Sequence, residues 1–226
     1  MNILVFDTAA SVISLALSGA GSTQYLESDT GLRHAEVLLD MADSLLRAAG
    51  LRAQDLELTG CMRGPGSFTG LRIGFAAAKA LSLALGIPLV SVPTLDCMAA
   101  SLAAHPGLAV PVIDAKQGRF FAALYRRGER LSPYLDESPD SLAARLAETG
   151  GPVLLTGPDA PLLKTRLGPF GDRLAVDSAH RQGRARELLE AARAGYLANG
   201  ADGPDDGPLY LRKSDAELKL ITGSAV

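Results

Sequence analysis

The sequence predicts an α/β protein with an internally duplicated fold. The first observation is a repeated unit, in which an apolar strand, an Asp, a turn of small residues and a returning strand follow one another. The unit occurs as ILVFDTAAS at residues 3–11 and as VPVIDAKQG at residues 110–118. The second observation is that short apolar runs alternate with segments of helical periodicity, which is typical of α/β folds. The repeat indicates an internally duplicated fold.

The first half of the chain opens with a meander of strands. The runs Ile3–Asp7, Val12–Leu17 and Ser22–Glu27 predict three antiparallel strands joined by tight turns. The segment His34–Ala49 then has helical spacing with one polar stripe, and Gly50 follows it as a plausible C-cap.

A glycine-rich turn joins the next strand, Leu56–Met62, to a strongly apolar helix, Gly70–Leu85. The only charged residues of that helix are Arg72 and Lys79, which lie seven positions apart and so share one face. A helix this apolar is normally covered on more than one side, so it lies centrally in the fold or awaits a partner. A strand at 89–92 and a helix at 94–104 complete the half.

The second half repeats the order of strands and helices. Its predicted strands and helices lie at 109–114, 119–125, 141–148, 153–156 and 184–197. We place an N-terminal, partner-binding lobe at 1–105, a C-terminal lobe at 106–200 and an extension at 201–226. Glycine and proline residues open this extension, which we expect to be loosely packed or dependent on a partner.

The composition argues against several classes of function. A net charge of −3 disfavours a free-standing nucleic-acid binder, because binding phosphates requires a clustered positive field. Cys61 and Cys97 lack CxxC spacing, and the three histidines lack HxxxH or HExxH spacing, so we expect neither a disulfide scaffold nor a metal site. We also expect no signal peptide and no membrane span. The two cysteines suit the reducing cytoplasm better than a disulfide scaffold.

The two Asp hairpins could carry nucleotide chemistry. In the sugar kinase, heat-shock and actin superfamily, such turns offer backbone N–H groups to phosphates and the Asp holds a magnesium ion or its water. Here the acids Asp7 and Asp114 are followed by few glycines, although close approach to phosphate usually requires them. Plain β-turns with a capping Asp are therefore at least as well supported.

The turn Arg63–Gly74, which reads RGPGSFTGLRIG, is the most distinctive local feature. It matches neither a Walker A loop nor a GxGxxG fingerprint. Its position before a helix favours anion binding, whereas its glycines and Pro65 equally favour a rigid connector, with Ser67 or Thr69 capping the helix. The residues leave both interpretations open.

The longer segment RGPGSFTGLRIGFAAAKALSLALGIPLVSVPTL resembles the TsaB (YeaZ) family of bacterial tRNA-modification proteins. ILVFDTA, VIDAKQGRFFAALY and PLYLRKSDAELKL support the match and extend it, in order, over most of the chain. The resemblance implies an actin-like fold, related to sugar kinases and heat-shock ATPases (ribonuclease H-like), with two similar lobes that each have a mixed β-sheet flanked by helices. It also implies a cofactor-free, non-catalytic subunit that binds the catalytic paralogue TsaD, joined by TsaE, in making threonylcarbamoyladenosine beside the tRNA anticodon. Contact with tRNA is then expected only through the complex.

The resemblance also offers a test for lost catalysis. In TsaD proteins the equivalent strand is followed by a metal-binding HxxxH, where this chain has Thr94 and Met98. A hydroxyl and a thioether cannot replace two imidazoles. We therefore predict no catalytic residue and no metal ligand, and a vestigial nucleotide site of Asp7, Thr8, Asp114 and Gly157.

The apolar helices predict the partner interface, through which the chain could also form a homodimer when alone. Its predicted residues are His34, Leu38, Met41, Leu45, Phe68, Arg72, Phe75 and Lys79. The alternative function is that of an ATP-dependent small-molecule kinase or ATPase, which would use Asp7 and Asp114 around a magnesium nucleotide. A peptidase is a weaker alternative, because no catalytic triad is readable.

Overall fold

The computed structural model describes residues 1–19, 21–31 and 33–212 and consists of two units with the same order of elements. The first unit comprises strands β1 (Ile3–Asp7), β2 (Val12–Gly19) and β3 (Ser22–Asp29), helix α1 (His34–Ala49), strand β4 (Leu58–Gly64), helix α2 (Phe68–Leu85), strand β5 (Leu89–Pro93) and helix α3 (Thr94–Ala100). The second comprises strands β6 (Leu108–Lys116), β7 (Arg119–Ala122), β8 (Tyr125–Arg126), β9 (Glu129–Arg130) and β10 (Leu135–Glu137), helix α4 (Pro139–Glu148), strand β11 (Val153–Thr156), helix α5 (Ala160–Arg166), strand β12 (Leu174–Val176) and helix α6 (Ala185–Asn199).

The two sheets have the same topology. The first has the order β3-β2-β1-β4-β5, and the second has the order β10-β7-β6-β11-β12, with β8 and β9 attached beside β6. In each sheet the first three strands pair antiparallel and the last two add in parallel. The predicted α/β fold, with two similar lobes, mixed sheets and flanking helices, is thus confirmed.

The first sheet is covered on both faces, because alternate residues of a strand point to opposite sides. Leu4 and Phe6 of β1 belong to the core beneath α1 and α2, whereas Ile3 and Val5 belong to the core beneath α6. Since β1 contacts buried elements on both sides, its near-continuous apolar sequence is what a central strand requires. The helices α1 and α2 therefore form one outer layer of the protein.

The second sheet follows the same plan. Helices α4 and α5 cover one face, through residues such as Leu142, Leu146 and Leu163. Helix α3 covers the other face, where Leu95 and Met98 pack against residues of β6 and β7. Because α3 also contacts α6, both helices lie between the two sheets.

The position of helix α6 differs from the predicted division of the chain into lobes. The boundary at 106–200 assigned it to the C-terminal lobe, but Leu188, Leu189 and Ala192 pack in the core of the first sheet. Sequence order placed the helix after the last strand of the second unit, whereas its apolar stripe fits the open face of the first. The predicted boundaries otherwise stay predictions.

The beginning of the C-terminal extension is also different from the expectation. Residues 201–212 make hydrogen bonds to β4, β5 and α2, so this part is packed rather than loose. The remainder of the predicted extension, 213–226, lies outside the described residues.

Helix α2 is unusual in its exposure. Among the described residues it is the one helix long and apolar enough to cross a membrane by length and composition, with a mean hydropathy of 1.3, yet only 28% of it is buried. Its buried residues, such as Leu71, Phe75 and Ala78, pack toward the first sheet. It is therefore a sheet-packed helix with an apolar outer face.

Candidate functional site

A cleft of about 610 Å³ lies between the two lobes, where the turns after β1 and β6 face each other. It is lined by Ala9, Ala10, Ser11, Pro65, Gly66, Ser67, Phe68, Ile113, Asp114, Ala115, Lys116, Phe121, Pro158, Asp159, Leu209, Tyr210, Leu211 and Arg212. Of the four residues predicted for a vestigial nucleotide site, only Asp114 lines this cleft. The structure therefore brings the two Asp turns together at the cleft, but it does not bring the four predicted residues together there.

Asp7 is buried beside the N-terminus of helix α6, where it accepts a hydrogen bond from the residue that precedes the helix. Its Oδ2 accepts hydrogen bonds from Arg184 N (2.8 Å) and Ser14 Oγ (3.3 Å), and its Oδ1 accepts one from Ala9 N (3.2 Å). Burial raises the pKa of Asp7, and the hydrogen bonds from Arg184 and Ala9 oppose that shift. Since both oxygens have internal donors and the negative charge lies at a helix N-terminus, the carboxylate has a structural function.

Thr8 connects the first Asp turn to helix α2. Its Oγ1 donates to Gly70 O (2.7 Å), and a Cβ on Gly70 would clash with the Thr8 carbonyl oxygen. Ser67 donates its N–H to Ala9 O (2.8 Å), and its Oγ accepts from Gly70 N (3.2 Å). These contacts support the rigid-connector interpretation of the glycine turn, because Gly70 permits close approach and Ser67 caps the helix.

The second Asp turn is exposed at the cleft and internally paired. Asp114 accepts from Lys116 N (2.8 Å) and from Lys116 Nζ (2.9 Å), and its own N–H donates to Asp159 Oδ2 (2.8 Å). Burial raises the pKa of Asp159, which sequence reasoning missed. Gly157 has φ +97°, and a Cβ there would clash with the Val112 carbonyl oxygen, so this glycine is needed for packing.

The residues that replace the HxxxH pair do not fit a metal ion. Thr94 and Met98 are both buried at the start of α3, and Thr94 Oγ1 has no hydrogen-bond partner among the described residues. Within the described ranges, no three His, Cys, Asp or Glu side chains are grouped as metal ligands. Cys61 and Cys97 are buried and free, and burial raises the pKa of each thiol.

Most of the predicted interface residues lie in the core. His34, Leu38, Met41, Leu45 and Phe75 are buried, so they cannot contact a partner directly in this conformation. His34 bridges the Ala10 carbonyl (2.7 Å) and Thr30 Oγ1 (3.2 Å), and the four apolar residues pack in the core beneath α1 and α2. The apolar stripe of each helix faces its own sheet, which is the physical reason for the correction.

The other three predicted interface residues contact the C-terminal segment. The Phe68 ring packs on Tyr210 with 4.8 Å between ring centroids, and Arg72 Nε donates to Tyr210 Oη (3.2 Å). Lys79 Nζ donates to Pro204 O (3.1 Å). These three residues are accessible in part, so their role in a partner interface stays a prediction.

A different apolar surface faces outward on the same two helices. We call it the helix face and define it by Leu39 of α1 with Ala76, Ala80 and Leu83 of α2, all of which are exposed. Leu83 is 85% exposed and Leu39 is 71% exposed, which is unusual for large apolar side chains. Ala76, Ala80 and Leu83 follow the spacing i, i+4 and i+7 and so share one face of α2, where the small alanines allow another helix to approach closely.

Comparison with known proteins gives a consistent result. A family model described as "TsaD: tRNA N6-adenosine threonylcarbamoyltransferase" matches residues 28–158, more than half of the chain. The tRNA threonylcarbamoyladenosine biosynthesis protein TsaB of Bacillus subtilis is 32% identical and aligns over 98% of each chain. The protein of the same name from Escherichia coli K12 is 34% identical over 57% of each chain.

Two solved structures share the fold. YeaZ from Pseudomonas aeruginosa has a TM-score of 0.76 at 23% identity and covers 92% of this chain and 100% of its own. A second structure, described as an uncharacterized Pseudomonas aeruginosa protein similar to peptidase YeaZ, has a TM-score of 0.80 at 24% identity, covering 93% and 99%. The sequence match over nearly the full length of the Bacillus subtilis relative, together with this shared fold, shows that the chain belongs to the TsaB (YeaZ) family.

Proposed function

We propose that this chain acts in the formation of threonylcarbamoyladenosine in tRNA as a non-catalytic subunit that binds TsaD through the helix face. The observation that carries the proposal is the exposed apolar surface of α1 and α2. Monomeric proteins rarely leave such surfaces uncovered, and they are typical of protein interfaces. A role on tRNA also implies the cytoplasm.

TsaD is the occupant that the sequence favours. The family model that matches residues 28–158 is that of TsaD, and this range includes both α1 and α2. A protein of that family is therefore expected to have equivalent helices, which can pair with these in an approximate two-fold arrangement. Covering Leu39 and Leu83 contributes roughly 3 kcal/mol if each buries most of its side chain.

The surroundings of the residues that could have carried catalysis support the non-catalytic part of the proposal. Asp7 is held by two backbone N–H groups, Asp114 is paired with Lys116, and Thr94 and Met98 are poor ligands for metal ions. The alternative, an ATP-dependent kinase or ATPase, needs at least one of these acids for a magnesium nucleotide. Micromolar binding of Mg-ATP with turnover, measured by calorimetry on the isolated chain, would favour that alternative.

The interface is tested by measuring TsaD affinity for charged variants. We expect Leu83→Asp and Leu39→Asp each to weaken binding by at least about tenfold, because a buried carboxylate without a partner is costly. Leu131→Asp is the matched control: Leu131 is 53% exposed in the second lobe and should bind as the wild type does. Wild-type affinity for both helix-face variants would exclude this surface.

The role itself needs a separate test. In a reaction reconstituted from TsaD, TsaE, tRNA and TsaC, the protein expected to make the threonylcarbamoyl-adenylate donor, omission of this chain should abolish or strongly reduce threonylcarbamoyladenosine. Undiminished product would contradict the proposed function, even if TsaD binding were confirmed. In the absence of TsaD we expect the helix face to support a homodimer, which sedimentation of wild type and Leu83→Asp would compare. TsaE and tRNA are expected to join only through the larger complex.

A further inference from the structure

The segment that follows α6 runs from the first sheet to the second lobe. It begins at the edge of the first sheet, where Asp202 N donates to Leu89 O (2.8 Å). The Asp202 carboxylate accepts from Ser91 N (2.8 Å) and Ser91 Oγ (2.5 Å). This end of the segment is thus fixed to β5 through backbone and side-chain hydrogen bonds.

The middle of the segment lies along β4 and the flank of α2. Asp206 pairs with Arg63 at 3.1 Å, and Leu209 N donates to Arg63 O (2.7 Å). Tyr210 then packs on Phe68 and accepts from Arg72. The flank of α2 beside the helix face is therefore covered by the chain's own residues.

The far end of the segment reaches the second lobe. Leu211 packs against the apolar cluster that contains Ile113 and Phe121, and Arg212 Nη2 donates to Ala115 O (2.5 Å). Residues 209–212 together form one wall of the interlobe cleft. The same short segment therefore contacts both lobes and limits access to the space between them.

We infer that residues 202–212 form a latch, which ties the two lobes together, closes the cleft and opens without unfolding of either sheet. The latch belongs to neither sheet, and its contacts include hydrogen bonds, the ion pair of Asp206 with Arg63, the ring contact of Tyr210 and the packing of Leu211. Each sheet, in contrast, has a continuous apolar core. Segments with few buried apolar contacts open at lower free energy than the core does. Opening uncovers both the cleft and the flank of α2.

The latch can be tested by thiol labelling of the full chain. Ala115→Cys places a small probe in the cleft wall at a position that is only 3% exposed. The natural Cys61 is fully buried in β4 and reports opening of the first lobe. Reaction with a maleimide, mapped by mass spectrometry, then gives the opening rates of cleft and core in one experiment.

The latch is weakened by Tyr210→Ala combined with Leu211→Ser. In this background we expect labelling of the introduced cleft thiol to rise at least about tenfold, equivalent to ~1.4 kcal/mol, with Cys61 unchanged. The matched control, Tyr210→Phe, keeps the ring on Phe68 and should stay within about threefold of the wild-type latch. An unchanged rate for the cleft thiol, or a parallel rise of the cleft thiol and Cys61, would overturn the inference, since the segment would then not open by itself.

Discussion

Replacement of Asp7 by alanine distinguishes a structural carboxylate at a helix N-terminus from a nucleotide ligand. The change removes the acceptor for two buried backbone N–H groups, those of Arg184 and Ala9, and for the hydroxyl of Ser14. Each buried donor left without a partner costs about 1–3 kcal/mol. Relief of the buried charge acts in the opposite direction, so we expect a net loss of about 3 kcal/mol.

The measurement is guanidinium denaturation followed by far-UV circular dichroism, with Mg-ATP calorimetry on the same samples. Asp29→Ala is the matched control, because Asp29 forms an exposed ion pair with Arg181 and its loss should cost less than about 1 kcal/mol. If Asp7→Ala were as stable as Asp29→Ala, the argument for a structural function of Asp7 would be wrong. This structural function would also be contradicted if the wild type bound Mg-ATP and the Asp7→Ala variant did not.

The pKa of Asp7 gives the same prediction a pH dependence. Because burial raises this pKa above 3.8, the folded state binds the proton more tightly than the unfolded state. The associated stability is therefore present at low pH and is lost as the pH rises through the folded-state pKa. Relative to Asp7→Asn, the wild type should gain unfolding free energy as the pH falls from above that pKa toward 3.8. A relative loss over this range would mean that hydrogen bonding outweighs burial.

Two further predictions concern the same region. Gly70→Ala should destabilise the fold by about 2–3 kcal/mol, because the added Cβ would clash with the Thr8 carbonyl oxygen. In the control Gly150→Ala the added Cβ meets nothing within 4 Å, so the free energy of unfolding should change by less than about 1 kcal/mol. Equal stabilities of the two variants in denaturant would contradict the close contact at Gly70. Thr94→Val should stabilise the protein by about 1 kcal/mol, because it removes a buried hydroxyl with no hydrogen-bond partner in the described part of the chain. The measurement is the melting temperature, and a value below that of the wild type would show that the hydroxyl has a partner.

The fold was accessible from the sequence because its signals are local. The repeated strand–Asp–turn unit predicts the duplication, and the spacing at His34–Ala49 predicts α1 with the observed bounds. Short elements such as α5 and β12 were missed, because seven or three residues carry too little periodicity to distinguish them from loops. Helix α6 was recognised, but a sequence pattern does not specify which sheet an apolar stripe will cover.

The partner interface could be predicted only in part from the sequence, for a related reason. The spacing of apolar residues on a helix predicts which side chains become buried, and Leu38, Met41 and Phe75 are buried. It does not distinguish burial against the protein's own sheet from burial against a partner. The outward surface became visible only once that sheet was in place, which left Leu39 and Leu83 uncovered. Likewise, the glycines and prolines after Asn199 indicated a loose tail, whereas its contacts come from distant residues.

The return of α6 to the first sheet has a consequence for synthesis of the chain. Ile3 and Val5 leave the ribosome well before the helix that covers them, Ala185–Asn199, is translated. Until then one apolar face of the first sheet has no permanent cover, so the nascent chain depends on late closure or on protection by chaperones. For the same reason a fragment ending at residue 105 should aggregate, and co-expression with a segment that carries α6 should restore its solubility. Synthesis of the first lobe therefore begins before that of the second lobe and is completed only after it.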